Sequence, residues 1–130
     1  MVKYGTLEYF QALANALNND PEFTKSGMTT TYIYRFTDRK NASGGDLGFL
    51  LRFEKGRVTE VKEVPATEDA EFIGTGPYDI LAKISRGELD GQKAMKDGTF
   101  KFKYFMFKAV RYGNTLKRMG EIGRGLNPEY

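Results

Sequence analysis

A chain of 130 residues carries 20 Lys and Arg against 17 Asp and Glu, a formal charge of +3, with 40% apolar and 14% aromatic residues. That is one domain's length with apolar matter enough for a core, and the charge is too slight for a nucleic-acid partner. There is no His, Cys or Trp, which excludes disulfides, thiolate nucleophiles, imidazole or thiolate metal sites and histidine-based proton transfer.

Thr6 is placed to cap a helix running to about Leu17, with Leu7, Phe10, Leu13, Ala14 and Leu17 on one stripe and Glu8 in the first turn. Asn18 to Pro21 ends it, because proline bars the preceding residue from helical geometry, and Phe23 is expected to tuck back on the stripe. Residues 28–37 read as a strand with Met28, Tyr32, Tyr34 and Phe36 on one face. A flexible connection follows over 38–46. The second strand, 47–54, carries Leu47, Phe49, Leu51 and Phe53 on one side, and Lys55-Gly56 turns it into a third over 57–64.

After an acidic loop, residues 70–74 read as a short fourth strand centred on Phe72. Gly76 is expected at a helix cap, with Pro77 as the first helical residue, Ile80, Leu81 and Ile84 as the buried stripe, and Gly87 as the left-handed terminator. Asp90 caps a second short helix, in which Leu89 packs on Ala94 as a hydrophobic staple. Gly98 closes it and opens a fifth strand.

That fifth strand is the most informative stretch of the chain. Phe100, Phe102 and Tyr104 alternate with Lys101 and Lys103, after which the polar face is lost at Phe105-Met106-Phe107. The excess apolar surface requires a cover, either the rest of the fold or a ligand. Ten Phe and eight Tyr in so short a chain are hard to pack tightly; composition alone favours an aromatic-rich core, and a cavity left between flat rings is the alternative. A last helix is expected from Met106 to Gly120, bearing Ala109, Val110, Tyr112, Leu116 and Met119. Its internal glycines, each costing roughly 1 kcal/mol of helix preference, make it a candidate lid. From residue 98 onward the bases at 101, 103, 108, 111, 117, 118 and 124 face only Glu121 and Glu129. Such a basic end on an apolar unit suits contact with an anionic membrane surface, and it equally suits an ordinary solvated face.

Other chemistry finds no support in the pattern. Gly74-Thr75-Gly76 begins like a dinucleotide loop but has Asp79 where the third glycine belongs. Glu68, Asp69 and Glu71 lack the calcium-loop spacing. Lys101 and Lys103 lie opposite Phe100 and Phe102, whereas a base-stacking platform wants both on one exposed side. No catalytic residue, metal or cofactor is expected. No 18-residue apolar run and no secretory core are present, so the expected location is cytoplasmic.

The segment from Ser85 through Gly87, Leu89, Lys93, Ala94 and Gly98 to Lys103 resembles the SCP-2 (sterol carrier protein 2) family. Phe49 to Gly56 resembles that family's second strand and turn, and the resemblance runs over 28–119. It implies an α+β fold: a five-stranded, largely antiparallel sheet with helices packed on one face, enclosing an apolar tunnel, residues 1–130 forming a single domain. It further implies non-enzymatic, reversible binding and transfer of a lipid, whether fatty acid, fatty acyl-CoA, phospholipid or sterol.

On that basis the expected lipid-binding residues are Phe49, Leu51, Phe100 and Phe102 as floor, Ile80, Leu81 and Ile84 as one wall, and Phe105, Val110, Leu116 and Met119 as a movable wall. Lys108, Arg111, Lys117 and Arg118 are expected at a headgroup or membrane. The competing expectation is an accessory module that uses the same C-terminal apolar helix as an interface for a protein partner.

Overall fold

Local capping signals set the first elements of the computed structural model, which describes residues 1–130. Helix α1 spans Leu7–Asn18, and the Thr6 side chain accepts the Tyr9 amide at its start. Asp20 and Pro21 then open a second helical turn, α2 (Pro21–Thr24), with the Asp20 carboxylate accepting from the Phe23 amide at 2.9 Å. Where the sequence suggested only a terminator, the Asp-Pro pair is also an N-cap followed by proline at the first helical position. It buries Phe23 against Phe53.

Three strands follow: β1 (Thr30–Lys40), β2 (Asp46–Glu54) and β3 (Arg57–Val64). Both paired edges are antiparallel. Lys55 and Gly56, at φ +50° and +84°, form the two-residue turn that matches strand twist. At this connection β1 and β2 run further than the pattern indicated, leaving 41–45 between them, while β1 starts at Thr30 rather than Met28. Asn18 closes α1 on β3 by pairing with both backbone groups of Val58, at 3.0 and 2.7 Å.

Strand β4 (Phe72–Gly76) lies parallel to β1, and the three-residue β5 (Lys101–Lys103) pairs antiparallel with β4. The sheet order is β3-β2-β1-β4-β5. The fold is therefore α+β around a mixed, largely antiparallel five-stranded sheet. The α3 helix (Tyr78–Arg86) begins one residue later than the sequence implied: Gly76 ends β4 and Pro77 is the cap. Proline offers no capping side chain, and Asp38 at the end of β1 supplies one instead, accepting the Tyr78 amide at 2.8 Å. Gly87 terminates α3 in the left-handed region, and Asp90 caps α4 (Gly91–Lys96) as expected.

The last helix of the sequence reading is two helices, α5 (Met106–Arg111) and α6 (Gly113–Gly125), broken at Tyr112. Tyr112 leaves helical geometry at ψ 17° and buries its ring, while Gly113 restarts the helix. The termini are tied together: the Tyr4 amide donates to Glu129 and the Glu129 amide to Val2, both at 2.8 Å.

The helix-covered face holds the main core, built on Phe10, Leu17, Met28, Phe36, Leu51 and Phe53. A small cluster of Ile33, Leu50, Val64, Ala70 and Ile73 occupies the opposite face. Helix α1 packs across β2 and β3, where Phe10 stacks on Phe49 with centroids 4.9 Å apart. Over β1 and β4 the roof is α3 and α6, and there the packing is not closed.

Candidate functional site

Between the sheet and helices α1, α3 and α6 lies a half-open cavity of about 580 Å³. That size is within the range of small-molecule sites. Its floor is β1 and β4, through Tyr32, Tyr34 and Gly74, with the Phe100 ring lying across. The missing side chain at Gly74 makes this possible, since a Cβ there would stand 3.2 Å from that ring. One wall is α3 with Leu81 and Ile84; the other is α6 with Leu116 and Met119; α1 and the preceding turn add Tyr4, Tyr9 and Leu13. Polar groups at the border are Ser85, Asp90, Lys117 and Arg124.

Of the expected lipid-contacting residues, Leu81, Ile84, Phe100, Leu116 and Met119 meet at this cavity, with Lys117 beside them. The structure keeps the others away from it. Phe49 is sealed beneath Phe10 and Leu51 is fully buried in the main core, because α1 occupies their half of the sheet. Ile80 is half-buried against the main core. Phe102 is half-buried in an aromatic stack between Phe100 and Tyr104, at 6.0 and 5.8 Å. Phe105 and Val110 point to solvent, 44% and 78% exposed, because the break at Tyr112 turns α5 off the line of α6.

The expected cations divide likewise. Lys108 donates to the Glu71 carboxylate and the Thr29 carbonyl, at 2.7 and 2.8 Å. Arg118 is bidentate on Asp20, at 2.8 and 3.2 Å. Arg111 lies over the Tyr112 ring, 5.4 Å from its centroid. Arg124, which the sequence reading did not single out, borders the cavity with its side chain over Gly87.

Sequence reasoning also missed the four cavity tyrosines. Tyr32 and Tyr34 were legible as lying on the apolar face of β1, but not as facing a void. Tyr4 and Tyr9 gave no local signal, since their role depends on how the N-terminal segment crosses the sheet. Withdrawal from water pushes Tyr9 up to about 12 and raises Tyr4, Tyr32 and Tyr34 above the ordinary phenol range, so all four are neutral. No three His, Cys, Asp or Glu side chains converge as metal ligands, and no helix is long and apolar enough to cross a membrane.

Comparison with solved structures places this architecture. The crystal structure of sterol carrier protein 2 superposes with a TM-score of 0.75 over 94% of this chain and 98% of that one, at 16% identity. The chain has the sterol carrier protein 2 fold. The solution structure of TT1886 from Thermus thermophilus, described as possibly a sterol carrier protein, gives 0.76 at 15% identity, covering 100% of this chain and 93% of that one. Palmitated SCP2L2 from Aedes aegypti gives 0.53 at 14% identity, covering 88% and 90%. Neither protein-family models nor curated proteins yield a match. In this sterol carrier protein 2 fold the cavity lies over the β1–β4 half of the sheet, against the α3 and α6 walls.

Proposed function

We propose that the chain, as one domain over residues 1–130, is a non-catalytic lipid carrier of the SCP-2 family that binds a lipid with a long hydrocarbon chain reversibly in the β1–β4 cavity. The observation that carries this reading is the cavity itself: about 580 Å³ and walled by Leu13, Leu81, Ile84, Phe100, Leu116 and Met119. Transfer of methylenes from water into such a space is worth about 0.8 kcal/mol each. Six of them offset part of the association and ordering cost of a flexible chain. A titrated protein group is not needed for this step. A structure of this fold in palmitated form, SCP2L2 from Aedes aegypti, supports a long-chain occupant. Lys117 and Arg124 at the border are suited to an anionic headgroup, whereas Lys108 and Arg118 are engaged with carboxylates of the chain itself.

A carrier must also meet a membrane, and α5 is the element we assign to that contact. Five of the seven exposed large apolar residues fall between Tyr104 and Val110, and Phe107 is 81% exposed. Lys93, Lys96, Lys101 and Arg111 flank them in sequence without an ion-pair partner, with Asp97 the intervening acid. Apolar side chains amid uncompensated cations match an anionic bilayer better than a protein partner's apolar groove. The accessory-module reading would use this same α5 surface, since Met119 of α6 is buried.

Titration of the purified chain with a fluorescent fatty acid tests the carrier reading. Saturable binding at one per chain, with lipid retained in native mass spectrometry, is the expected result. Absence of saturable binding refutes it.

A further inference from the structure

The aromatic residues of this chain are sorted by surroundings. The five aromatic rings most completely buried in the packed core are all phenylalanines: Phe10, Phe23, Phe36, Phe53 and Phe72. The aromatic residues lining the cavity are four tyrosines and Phe100. Phenols thus predominate where there is space, and phenyls where there is none. Tyr32 and Tyr34 project from the same face of β1 with stacked rings 4.6 Å apart. Neither hydroxyl has a hydrogen-bond partner in the protein, and burial alone, with neighbouring phenols in the case of Tyr34, accounts for their raised pKa. Tyr4, by contrast, reaches the Leu81 carbonyl, and Tyr9 lies beside Ser85. Tyr32 and Tyr34 are half-buried and line the cavity, so their hydroxyls, free of any protein acceptor or donor, are open to a partner entering that space.

We propose that the floor of the cavity is a hydrogen-bonding subsite in which the Tyr32 and Tyr34 hydroxyls hold a neutral oxygen, the hydroxyl or carbonyl of a lipid alcohol or ketone. This deepens the carrier reading and rests on it. Neutral oxygen is specified by what surrounds the phenols. The cations bordering the cavity, Lys117 and Arg124, belong to the exposed side of α6 rather than to the sheet. A carboxylate or phosphate on the floor would lose its hydration without meeting a countercharge. Phenols fixed in their protonated form donate to a carbonyl, and they both donate to and accept from a hydroxyl. Gly74 provides the room, because Tyr32's hydroxyl lies 3.7 Å from where a Cβ on that residue would stand.

The test compares the wild-type chain with the Tyr32→Phe/Tyr34→Phe variant, which keeps both rings and removes both hydroxyls. Diphenylhexatriene, a hydrocarbon fluorophore, reports occupancy, and dodecanol, methyl decyl ketone, dodecane and dodecanoate compete with it. The expected result is a roughly tenfold loss of dodecanol and ketone affinity in the variant, the worth of one or two hydrogen bonds. Dodecane, dodecanoate and the fluorophore should bind both proteins alike. A greater loss for dodecanol than for the ketone supports a lipid alcohol, and the reverse a ketone. Unchanged dodecanol and ketone affinities, with the fluorophore still bound, overturn the subsite and leave the carrier reading standing. A dodecanoate loss as large as that of dodecanol overturns the neutral assignment. Failure of the wild-type chain to bind any of the five probes removes the cavity reading and this one together. The Tyr32→Phe and Tyr34→Phe single variants, each expected to show part of the loss, keep the comparison decisive if the double variant does not fold.

Discussion

Two alanine substitutions in α6, three residues apart, should act in opposite directions. Gly120 is exposed, and a Cβ there meets nothing nearer than the tip of Arg124 at 3.8 Å. Gly120→Ala therefore gains the helix preference of alanine over glycine, about 1 kcal/mol. At roughly 2.1 cal/mol/K of unfolding entropy per residue, a chain of this length should melt about 4 °C higher. Gly123 is buried, and a Cβ there would stand 2.9 Å from the Tyr9 hydroxyl and 3.7 Å from Leu13. The Tyr9 ring cannot swing aside freely, because Tyr4 and Phe10 hold it edge-on at 4.9 and 5.0 Å. Overpacking of this kind costs about 1–3 kcal/mol, enough to reverse the helix gain. Thermal melts followed by far-ultraviolet circular dichroism give both signs. If α6 acts as the lid, the release rate of a bound fluorescent fatty acid should follow stability: roughly fivefold slower in Gly120→Ala and faster in Gly123→Ala. Equal stabilisation by both substitutions would refute the seating of α6 on α1 through Gly123. Melting shifts of opposite sign with unchanged release would refute the lid.

Gly56→Ala should be severely destabilising, by about 3 kcal/mol or more, since φ is +84° and its Cβ would lie 2.0 Å from the Thr24 carbonyl; a denaturant midpoint near that of the wild-type chain would contradict the turn geometry. The hydrogen-bonded Arg118 guanidinium, helped by the Phe23 amide, holds the Asp20 carboxyl below the usual carboxylate range. A lowered folded-state value gives stability that is complete above the unfolded aspartate range and is lost as pH falls through the lowered value. Arg118→Gln should accordingly melt below the wild-type chain at neutral pH, and the difference should close in strong acid. The buried phenols behave oppositely. Tyr9, at about 12, and the further-raised Tyr4, Tyr32 and Tyr34 keep their protons in the folded state after the unfolded chain has lost them. The stability these four contribute is therefore full below about pH 10 and declines above it, so in a variant whose other four tyrosines are replaced by phenylalanine, phenolate absorption should appear together with loss of circular dichroism rather than before it.

What the sequence disclosed about the fold was local. Thr6, Asp90, Gly87 and Gly98 act on their immediate neighbours as caps and terminators, although the strand expected to open at Gly98 starts only at Lys101. The strand alternation of 47–54 likewise buries Phe49, Leu51 and Phe53 together. Errors arose where one signal admits two readings. Asp20-Pro21 both ends a helix and begins one, and the apolar residues after Phe105 continue with helical spacing across the break at Tyr112. Only tertiary packing, the burial of the Tyr112 ring, decides the second case. The parallel pairing of β1 with β4 and the reach of Asp38 to Tyr78 span about forty residues, so no window of sequence contains them.

The cavity depends on a property that periodicity does not express, which is the distribution of small residues across facing elements. Gly74 on the floor, Gly87 and Gly91 beyond α3, and Gly120 and Gly123 on α6 all border it. In the sequence the α6 glycines register as weak helix propensity and point to mobility. In the fold they also make space, because α6 approaches α1 at Gly123 without side-chain bulk while Leu116 and Met119 reach inward from the same helix. Over β2 and β3 no such gap exists, since α1 brings Phe10 onto Phe49 there. A resemblance carried by residues 28–119 identifies a fold that encloses a void, yet α1, which fills half of the sheet face and so decides where the void lies, precedes that segment. For this reason the floor lies at Tyr32, Tyr34 and Gly74 rather than at Phe49 and Leu51, with Phe100 alone kept from the expected floor, and the lining there includes phenols.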